Sequence, residues 1–306
     1  RGSEDDCRTI ARQNPTDTLW IATLDRLHRH LFSRSERAGI QSNDRLRRQI
    51  AQKTLGNQSD HLNRPGDEMK TVDRPEIHLI HLKNVPIFEQ LQLEEALLRA
   101  DERNFLILNQ GSPRAIVMGI SGQPEALLNT SSVKKEKIPV IKRFSGGGTV
   151  IVDENTLFIT FIMAKDQVNI SPFPEPILRW SADLYTDAWQ IPHFHLREND
   201  YCIGERKCGG NAQYIKKDRW LHHTSFLWDY SEANMGHLLM PAKRPKYRQD
   251  RSHSSFLTRM KDHAASADAL IDRLKKSLVK QLYISEFDLT SWKAEPHRQA
   301  AHLIEL

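Results

Sequence analysis

Two stretches set cations beside glycines in a way that suits an anionic or activated acyl group. The first is Lys142-Arg143-Phe144-Ser145-Gly146-Gly147-Gly148-Thr149, entered through Pro139-Val140-Ile141 and left through Val150-Ile151-Val152. Glycine takes positive φ cheaply and lets a ligand approach the backbone. Its entropic cost makes three in a row a poor choice for a plain connection. N–H groups exposed in such a turn can cradle an anion, and Lys142 and Arg143 add charge. The stretch reads as a loop around a phosphate or acyl phosphate; the plainer reading is a glycine-rich hairpin turn with solvated cations. It is not the dinucleotide fingerprint, because the spacing differs and a strand, not a helix, follows. It is not a P-loop, because no Gly-Lys-Ser/Thr closes it.

The second stretch is Gly204-Glu205-Arg206-Lys207-Cys208-Gly209-Gly210-Asn211-Ala212-Gln213. Glycines on both sides admit a ligand while Lys207 points inward, where an ammonium offsets charge developing on a transferring acyl phosphate. Asn211 can donate and accept hydrogen bonds. Downstream, Trp220-Leu221-His222-His223-Thr224 places two histidines on opposite faces of a strand. One faces the ligand; the other faces solvent or backs the first. The alternation, with no suitably spaced cysteine, argues against zinc ligation by the pair. A nucleophilic cysteine needs exposure and a lowered pKa; Cys208 beside Lys207 is the candidate, with Cys202 close by, but a cysteine next to a structural glycine loop is more often packed than reactive.

The elements that must position these residues follow from patterning. The chain has 306 residues, enough for one large or two modest domains. Residues 1–74 are rich in Arg, Asn, Gln, Asp and Ser, with helices expected over 17–33 and 43–55 and a linker over 57–74. They read as a polar extension, partly helical or disordered. The early Glu4-Asp5-Asp6 argues against an organelle leader. From Ile77 the texture becomes that of a folded domain: strands over 77–82, 104–109, 115–120 and 156–163, and a helix after Pro86 through Leu98. Pro172, Pro174 and Pro176 punctuate a surface loop, followed by a helix over 177–189 and strands near 194–196 and 220–228. A basic loop runs over 229–252, with Lys243, Arg244, Lys246 and Arg248, and a last helix over 267–282. Strand–helix–strand–strand ahead of the glycine loop is an α+β pattern with hairpins. Three cysteines, Cys7, Cys202 and Cys208, fit a reducing compartment and no disulfide scaffold. No run is long and apolar enough to span a membrane. The net charge of +5 favours an acidic partner, nucleic acid or protein.

Ile141-Lys142-Arg143-Phe144-Ser145-Gly146-Gly147-Gly148-Thr149-Val150 resembles the Arg-Arg-x-x-Gly-Gly-Gly-x-Val signature of the lipoate–protein ligase A family. Gly204 to Ala212 resembles that family's Gly-x-(Arg)-Lys-x-(Ser/Gly)-Gly-x-Ala block, and His222-His223-Thr224 its His-His-Gly. Phe88 to Leu98 is similar to the helix that opens its catalytic domain. Order and separation of the blocks agree from about Ile77 to Leu289. The resemblance implies an α+β biotin/lipoyl protein ligase-type catalytic domain over 75–295, a mixed or antiparallel sheet flanked by helices, related to the class II aminoacyl-tRNA synthetase core. Residues 296–306 are left as a C-terminal tail, and no accessory domain fits after the last helix. The implied reaction is activation of lipoate or octanoate by ATP with Mg2+ to an acyl-AMP, then transfer to a lysine of a lipoyl domain. Such domains belong to 2-oxoacid dehydrogenase complexes or to the glycine cleavage H protein, and some family members need a separate accessory subunit.

Carried over by position, Lys207 is the catalytic lysine at the acyl carbonyl and phosphate. Arg143, Ser145, Gly146, Gly147, Gly148 and Thr149 hold the adenylate, with Asn155, Gly210, Asn211, Ala212 and His223 as further binding positions. Asp153-Glu154-Asn155-Thr156 departs from the family's His-Asp-x-Gly-Asn, and Thr224 replaces its last glycine. Side chains near 115–120 and 158–161 are expected to line the acyl slot. Two other classes compete. A related octanoyltransferase would carry the acyl chain as a cysteine thioester without ATP. A non-enzymatic basic protein would bind nucleic acid in a salt-sensitive way; the paired motifs make that the poorer reading. The expected location is the cytoplasm, or an organelle if residues 1–74 include a leader.

Overall fold

The computed structural model describes residues 74–242 and 244–306, so the expectations for residues 1–73 and for Lys243 lie outside the described residues. In chain order the elements are β1 (Glu76–Lys83), α1 (Ile87–Ala100), β2 (Phe105–Gln110), β3 (Ala115–Met118), α2 (Pro124–Leu127), α3 (Thr130–Lys135), β4 (Val140–Lys142), β5 (Val150–Val152), β6 (Thr156–Ala164) and α4 (Pro174–Trp189). They continue through β7 (Phe194–Arg197), β8 (Asp200–Ile203), β9 (Arg206–Ile215), β10 (Arg219–Leu227), α5 (Glu232–Met235), α6 (His253–Phe256), α7 (Ala267–Leu278), β11 (Tyr283–Glu286) and β12 (His302–Ile304).

Among the described residues the strands form two sheets. The large one runs β11-β1-β2-β6-β10-β9-β8-β7 and the small one β12-β4-β3-β5. β1 is parallel to β2 and β11, and the rest of the large sheet is antiparallel. This is the mixed α+β arrangement expected. The end of the chain, expected as a tail, supplies β12, which pairs antiparallel with β4.

Two differences from the sequence reading have plain causes. Pro174 and Pro176 lie within the first turn of α4 rather than in a loop. Backbone N–H groups there have no intrahelical acceptor to lose, so proline costs little. The Gly204-Glu205 turn hands directly into β9, so Gly209 and Gly210 are strand residues, not a second loop. A Cβ on Gly209 would lie 2.5 Å from Phe226 Cδ1, which explains a glycine inside a strand.

The register sorts the large sheet into two faces. Trp220, His222, Thr224 and Phe226 of β10 share a face with Leu157, Ile159, Phe161 and Met163 of β6. That face carries the main core, covered by α4 and α7, with Tyr185, Trp189, Leu270 and Leu274 buried against it. Trp189 is stacked on Tyr185 at 4.7 Å, meets Phe226 edge-on at 4.7 Å, and donates Nε1–H to the Leu270 carbonyl. On the other face lie Phe158, Thr160, Leu221, His223, Ala212 and Gly210, under α1. Phe144, just after β4, meets Tyr214 of β9 at 5.5 Å, so the small sheet approaches this same face.

Trp189→Ala removes a wholly buried indole. Urea unfolding of the variant should show a loss of about 3–5 kcal/mol; an unchanged midpoint would contradict the packing described.

Candidate active site

Arg143 follows β4 directly, and its N–H donates to the Met118 carbonyl. Its side chain turns back under the glycines it precedes. Nε and Nη2 donate to the Gly146 carbonyl at 3.1 and 2.7 Å, and Nη2 donates to the Gly148 carbonyl at 2.9 Å. Three carbonyl bonds close the loop around the guanidinium. Burial lowers the Arg143 pKa to about 10, so it remains a cation near neutral pH. Carbonyl dipoles balance a buried charge only in part, and an anion above the loop would complete the balance. Gly147 sits at φ +107°, which favours glycine. A Cβ there would fall 2.5 Å from Arg143 Nη2, and a Cβ on Gly119 would fall 2.2 Å from the Gly147 carbonyl oxygen. Ser145 is buried, its carbonyl accepting from Ile120 N–H, while Gly146 and Gly148 are exposed with open space where a side chain would be. Thr149 Oγ1 is buried with no partner, a polar atom placed to meet a ligand.

The second motif meets the first. A Cβ on Gly147 would be 3.6 Å from the Asn211 carbonyl oxygen of β9. Lys207 lies two positions into β9, and its Nζ would be 3.2 Å from a Cβ on Gly210, which shares the face of Ala212 and His223. Absence of side chains at Gly210 therefore makes room for the ammonium. Lys207 Nζ is paired with Asp200 Oδ1 at 2.7 Å, and Tyr247 O–H donates to Asp200 Oδ2 at 2.9 Å. Asp200 is buried. A carboxylate so placed pairs with the ammonium and fixes its stem.

His223, opposite Ala212, rests on a buried polar group. Its Nδ1 is 2.8 Å from Glu94 Oε1 of α1, and that oxygen accepts from Thr160 Oγ1 at 2.7 Å and from Gln90 Nε2 at 2.8 Å. Asn109 Nδ2 in turn donates to Gln90 Oε1 at 2.9 Å. The bonds at Nδ1 fix the orientation of the ring. His222 points the other way, but not to solvent. It is fully buried, with Tyr201 Oη at 2.8 Å and Gln213 Nε2 at 3.1 Å. β10 is an interior strand covered on both faces, which removes the solvent-facing alternative.

Several expected positions behave differently. Asn211 turns its backbone carbonyl to the loop, while its side-chain Nδ2 donates to the Asn199 carbonyl at 2.8 Å. Asn155 sits in the β5–β6 turn, its N–H donating to Asp153 Oδ1 and its carbonyl accepting from Asp229 N–H, so its bonds do not reach the glycine loop. Of residues 158–161, Phe158 and Thr160 share the site face while Ile159 and Phe161 belong to the core behind; of residues 115–120, Ile120 is half exposed. Arg248 is buried over the Phe256 ring at 4.7 Å, unlike a solvated loop cation. Cys202 and Cys208 are fully buried, the Cys208 thiol donating to the Tyr201 carbonyl, and burial raises both pKa values. That is the reverse of what a thioester-forming cysteine requires.

The sequence reading passed over Asp200, Glu94 and Gly119. Asp200 carried a signal in hindsight of the hairpin alone: seven residues before Lys207, across a tight turn, it falls beside it. Glu94 sits three residues after Leu91 and four before Leu98, a charge inside the apolar stripe of α1, which calls for a buried partner. No local signal marks Gly119; its contact with Gly147 arises only in three dimensions.

Residues 86–283 match the model of the lipoyl protein ligase A/B catalytic domain. A relative called inactive lipoate–protein ligase 2, from Plasmodium falciparum, is 29% identical over 265 residues, 66% of this chain and 69% of that protein. The chain spans under half the length of three bacterial relatives. A crystal structure of lipoate–protein ligase A bound with ATP superposes with a TM-score of 0.57 at 16% identity, covering 70% of this chain and 90% of that one. An archaeal bi-partite lipoate protein ligase, studied with its E2 lipoyl domain from Thermoplasma acidophilum, gives 0.57 at 20% identity, covering 70% and 86%. At such identities these structures establish the shared fold.

Two measurements check the electrostatics. Burial, with His223 beside it, lowers the His222 pKa from 6.5 to about 3. The unfolded chain therefore takes the proton first. This contribution to stability is complete above pH 6.5 and declines as pH falls from there towards 3, at up to about 1.4 kcal/mol per pH unit. His222→Gln should flatten the fall between pH 6.5 and 4 in urea titrations; an unchanged slope would contradict the assignment. In a Cys7→Ser background, a disulfide reagent at pH 8 should label Cys202 and Cys208 only on unfolding, and rapid labelling of the native protein would contradict their burial.

Proposed function

This chain belongs to the lipoyl protein ligase A/B catalytic domain family, and from that premise we propose that it activates lipoate or octanoate with ATP and transfers the acyl group to a lipoyl-domain lysine. The observation that carries the reading is the meeting of the two glycine–cation segments: Gly147, over the Arg143 guanidinium, lies against the Asn211 backbone of β9, the strand that carries Lys207. A fold alone hosts many activities, so the reading rests on these side chains. The ATP-bound and lipoylation-system relatives agree with it.

In the first step a carboxylate oxygen of the acid attacks the α-phosphorus of ATP, forming the mixed anhydride as pyrophosphate leaves. Negative charge grows on the phosphoryl oxygens, and the N–H groups of the Gly146–Gly148 loop, backed by the Arg143 cation, are suited to receive it. The ammonium of Lys207 exchanges its bond to Asp200 for the acyl carbonyl and phosphate. In the second step the acceptor amine attacks that carbonyl, AMP departs, and an amide results. Here Lys207 stabilises the tetrahedral oxyanion, and the enclosed face formed by α1 and His223 keeps water from competing.

Magnesium travels with the nucleotide in this reading. Among the described residues no group of three His, Cys, Asp or Glu side chains could hold a metal. In this reading the ion would be held mainly by phosphates and water, with one or two carboxylates at most. The acceptor would be the lipoyl domain of a 2-oxoacid dehydrogenase complex or the glycine cleavage H protein, perceived as an acidic surface by exposed Arg206, Arg244 and Lys246. Among the described residues no helix is long and apolar enough to cross a membrane.

The test sets lipoate, octanoate and biotin, each with and without ATP, against a purified lipoyl domain, with intact mass as the readout. Lipoate or octanoate should be transferred only with ATP, and Lys207→Ala should lower the rate by at least about a hundredfold. Transfer without ATP, full activity of Lys207→Ala, or preference for biotin would overturn the proposal. Transfer from preformed lipoyl-AMP but not from lipoate plus ATP would overturn its activation half, a distinction made pertinent by the inactive relative.

A further inference from the structure

The strand that delivers Arg143 is held from an unexpected side. β4 pairs with β3 on one edge and with β12 on the other, in the register His302 to Lys142, Leu303 to Ile141 and Ile304 to Val140. Three residues of pairing make a weak strand by themselves, and His302 and Leu303 are exposed. What anchors the segment is Glu95 of α1. Its carboxylate is almost wholly buried, and Oε2 accepts from Ala300 N–H at 2.8 Å and Ala301 N–H at 3.1 Å. The other oxygen accepts from Arg99 Nε at 2.8 Å. The Arg99 guanidinium in turn lies over the rings of Tyr214 at 5.2 Å and Phe144 at 5.9 Å. Phe144 follows Arg143, two residues before the first glycine, and it is buried.

One carboxylate thus ties together three parts of the chain: the C-terminal segment, helix α1, and the entry to the glycine loop. Charge-assisted bonds to two successive N–H groups are directional and strong. They set the height at which β12 meets β4. The Arg99 contact, on the far side of the same carboxylate, sets the Phe144 ring against Tyr214 and so against β9, where Lys207 resides.

We infer that Glu95 is a positioning residue for the glycine loop and that residues 299–304 act as a clamp on β4, holding the loop at its distance from β9. Glu95 touches no reacting group. It acts through Phe144 and β4, so its loss should alter the loop before it alters the core, which lies on the opposite face of the large sheet. Only the expected effect on activity rests on the proposed ligase function; the effect on the loop does not.

Hydrogen exchange followed by mass spectrometry tests this on the full chain. In Glu95→Ala, peptides covering 140–150 and 299–304 should exchange at least tenfold faster, while those covering β6 and β10 keep their protection. Glu95→Gln, which retains an acceptor for the two N–H groups but not the pairing with Arg99, should fall between. A chain ending at Lys293 should show the same loosening of 140–150, and a synthetic peptide of residues 294–306 should restore protection. If 299–304 loosens while 140–150 remains protected, the segment is merely a surface strand and the inference fails. It fails equally if neither region changes, or if the peptide does not restore the truncated chain. In the ligation assay, Glu95→Ala should raise KM for ATP more than it lowers kcat. Loss of loop protection with no ligase activity in the unaltered protein would instead count against the proposed function alone.

Discussion

Arg143 is buried, and what neutralises it is not a carboxylate but the carbonyl oxygens of the loop it introduces. This arrangement constrains everything around it. Carbonyls turned inward towards the guanidinium leave the adjoining N–H groups free to face outward, and the loop must close tightly enough for Gly147 to adopt positive φ. The cation must enter from a strand of fixed register, which requires the small sheet. The small sheet must then lie against β9, where the second cation waits. An unbalanced buried charge is costly, so such a loop persists only because the strands and helix around it determine it. A protein with no use for an anion at this point would do better with a neutral side chain.

Lys207 poses the complementary problem. It is charged, half-buried, and paired with Asp200, which is itself bonded to Tyr247. In the proposed reaction that pairing would hold the ammonium ready without committing it, since an incoming carbonyl or phosphate could replace one carboxylate oxygen. The hairpin between β8 and β9 performs this placement with a Gly204 turn and a register irregularity near Cys202. Beneath the cleft, Glu94, Gln90, Asn109, Thr160 and His223 form a polar layer in which the hydrogen-bonding groups are matched, so the floor is polar and rigid at once.

Much of this could be read from the chain itself. Local pattern sufficed for β1, α1, β2, β6, α7 and the two glycine–cation motifs, because apolar periodicity and runs of glycine are local signals. It failed where the deciding partner is distant. Asn211 looked like a ligand contact, but the nearby Asn199 carbonyl claims its side chain. Cys208 is packed in the core, as expected of a cysteine beside glycines, even though Lys207 adjoins it, because successive strand residues face opposite sides. Pro174 and Pro176 looked like loop punctuation until the start of α4 gave them positions where proline costs nothing. Glu95 and Gly119 carry no pattern of their own; their partners are set by tertiary geometry.

The pairing of β12 with β4 joins the far end of the described chain to the strand before the glycines. During vectorial synthesis β4 emerges long before its outer neighbour exists, and the edge of the small sheet stays open until then. Non-local pairing of this kind is slow and leaves unpaired edges exposed meanwhile. The site is therefore completed only after residues 302–304 have been made. Until then a nascent chain carrying both motifs would hold its cations in sequence but not yet in place.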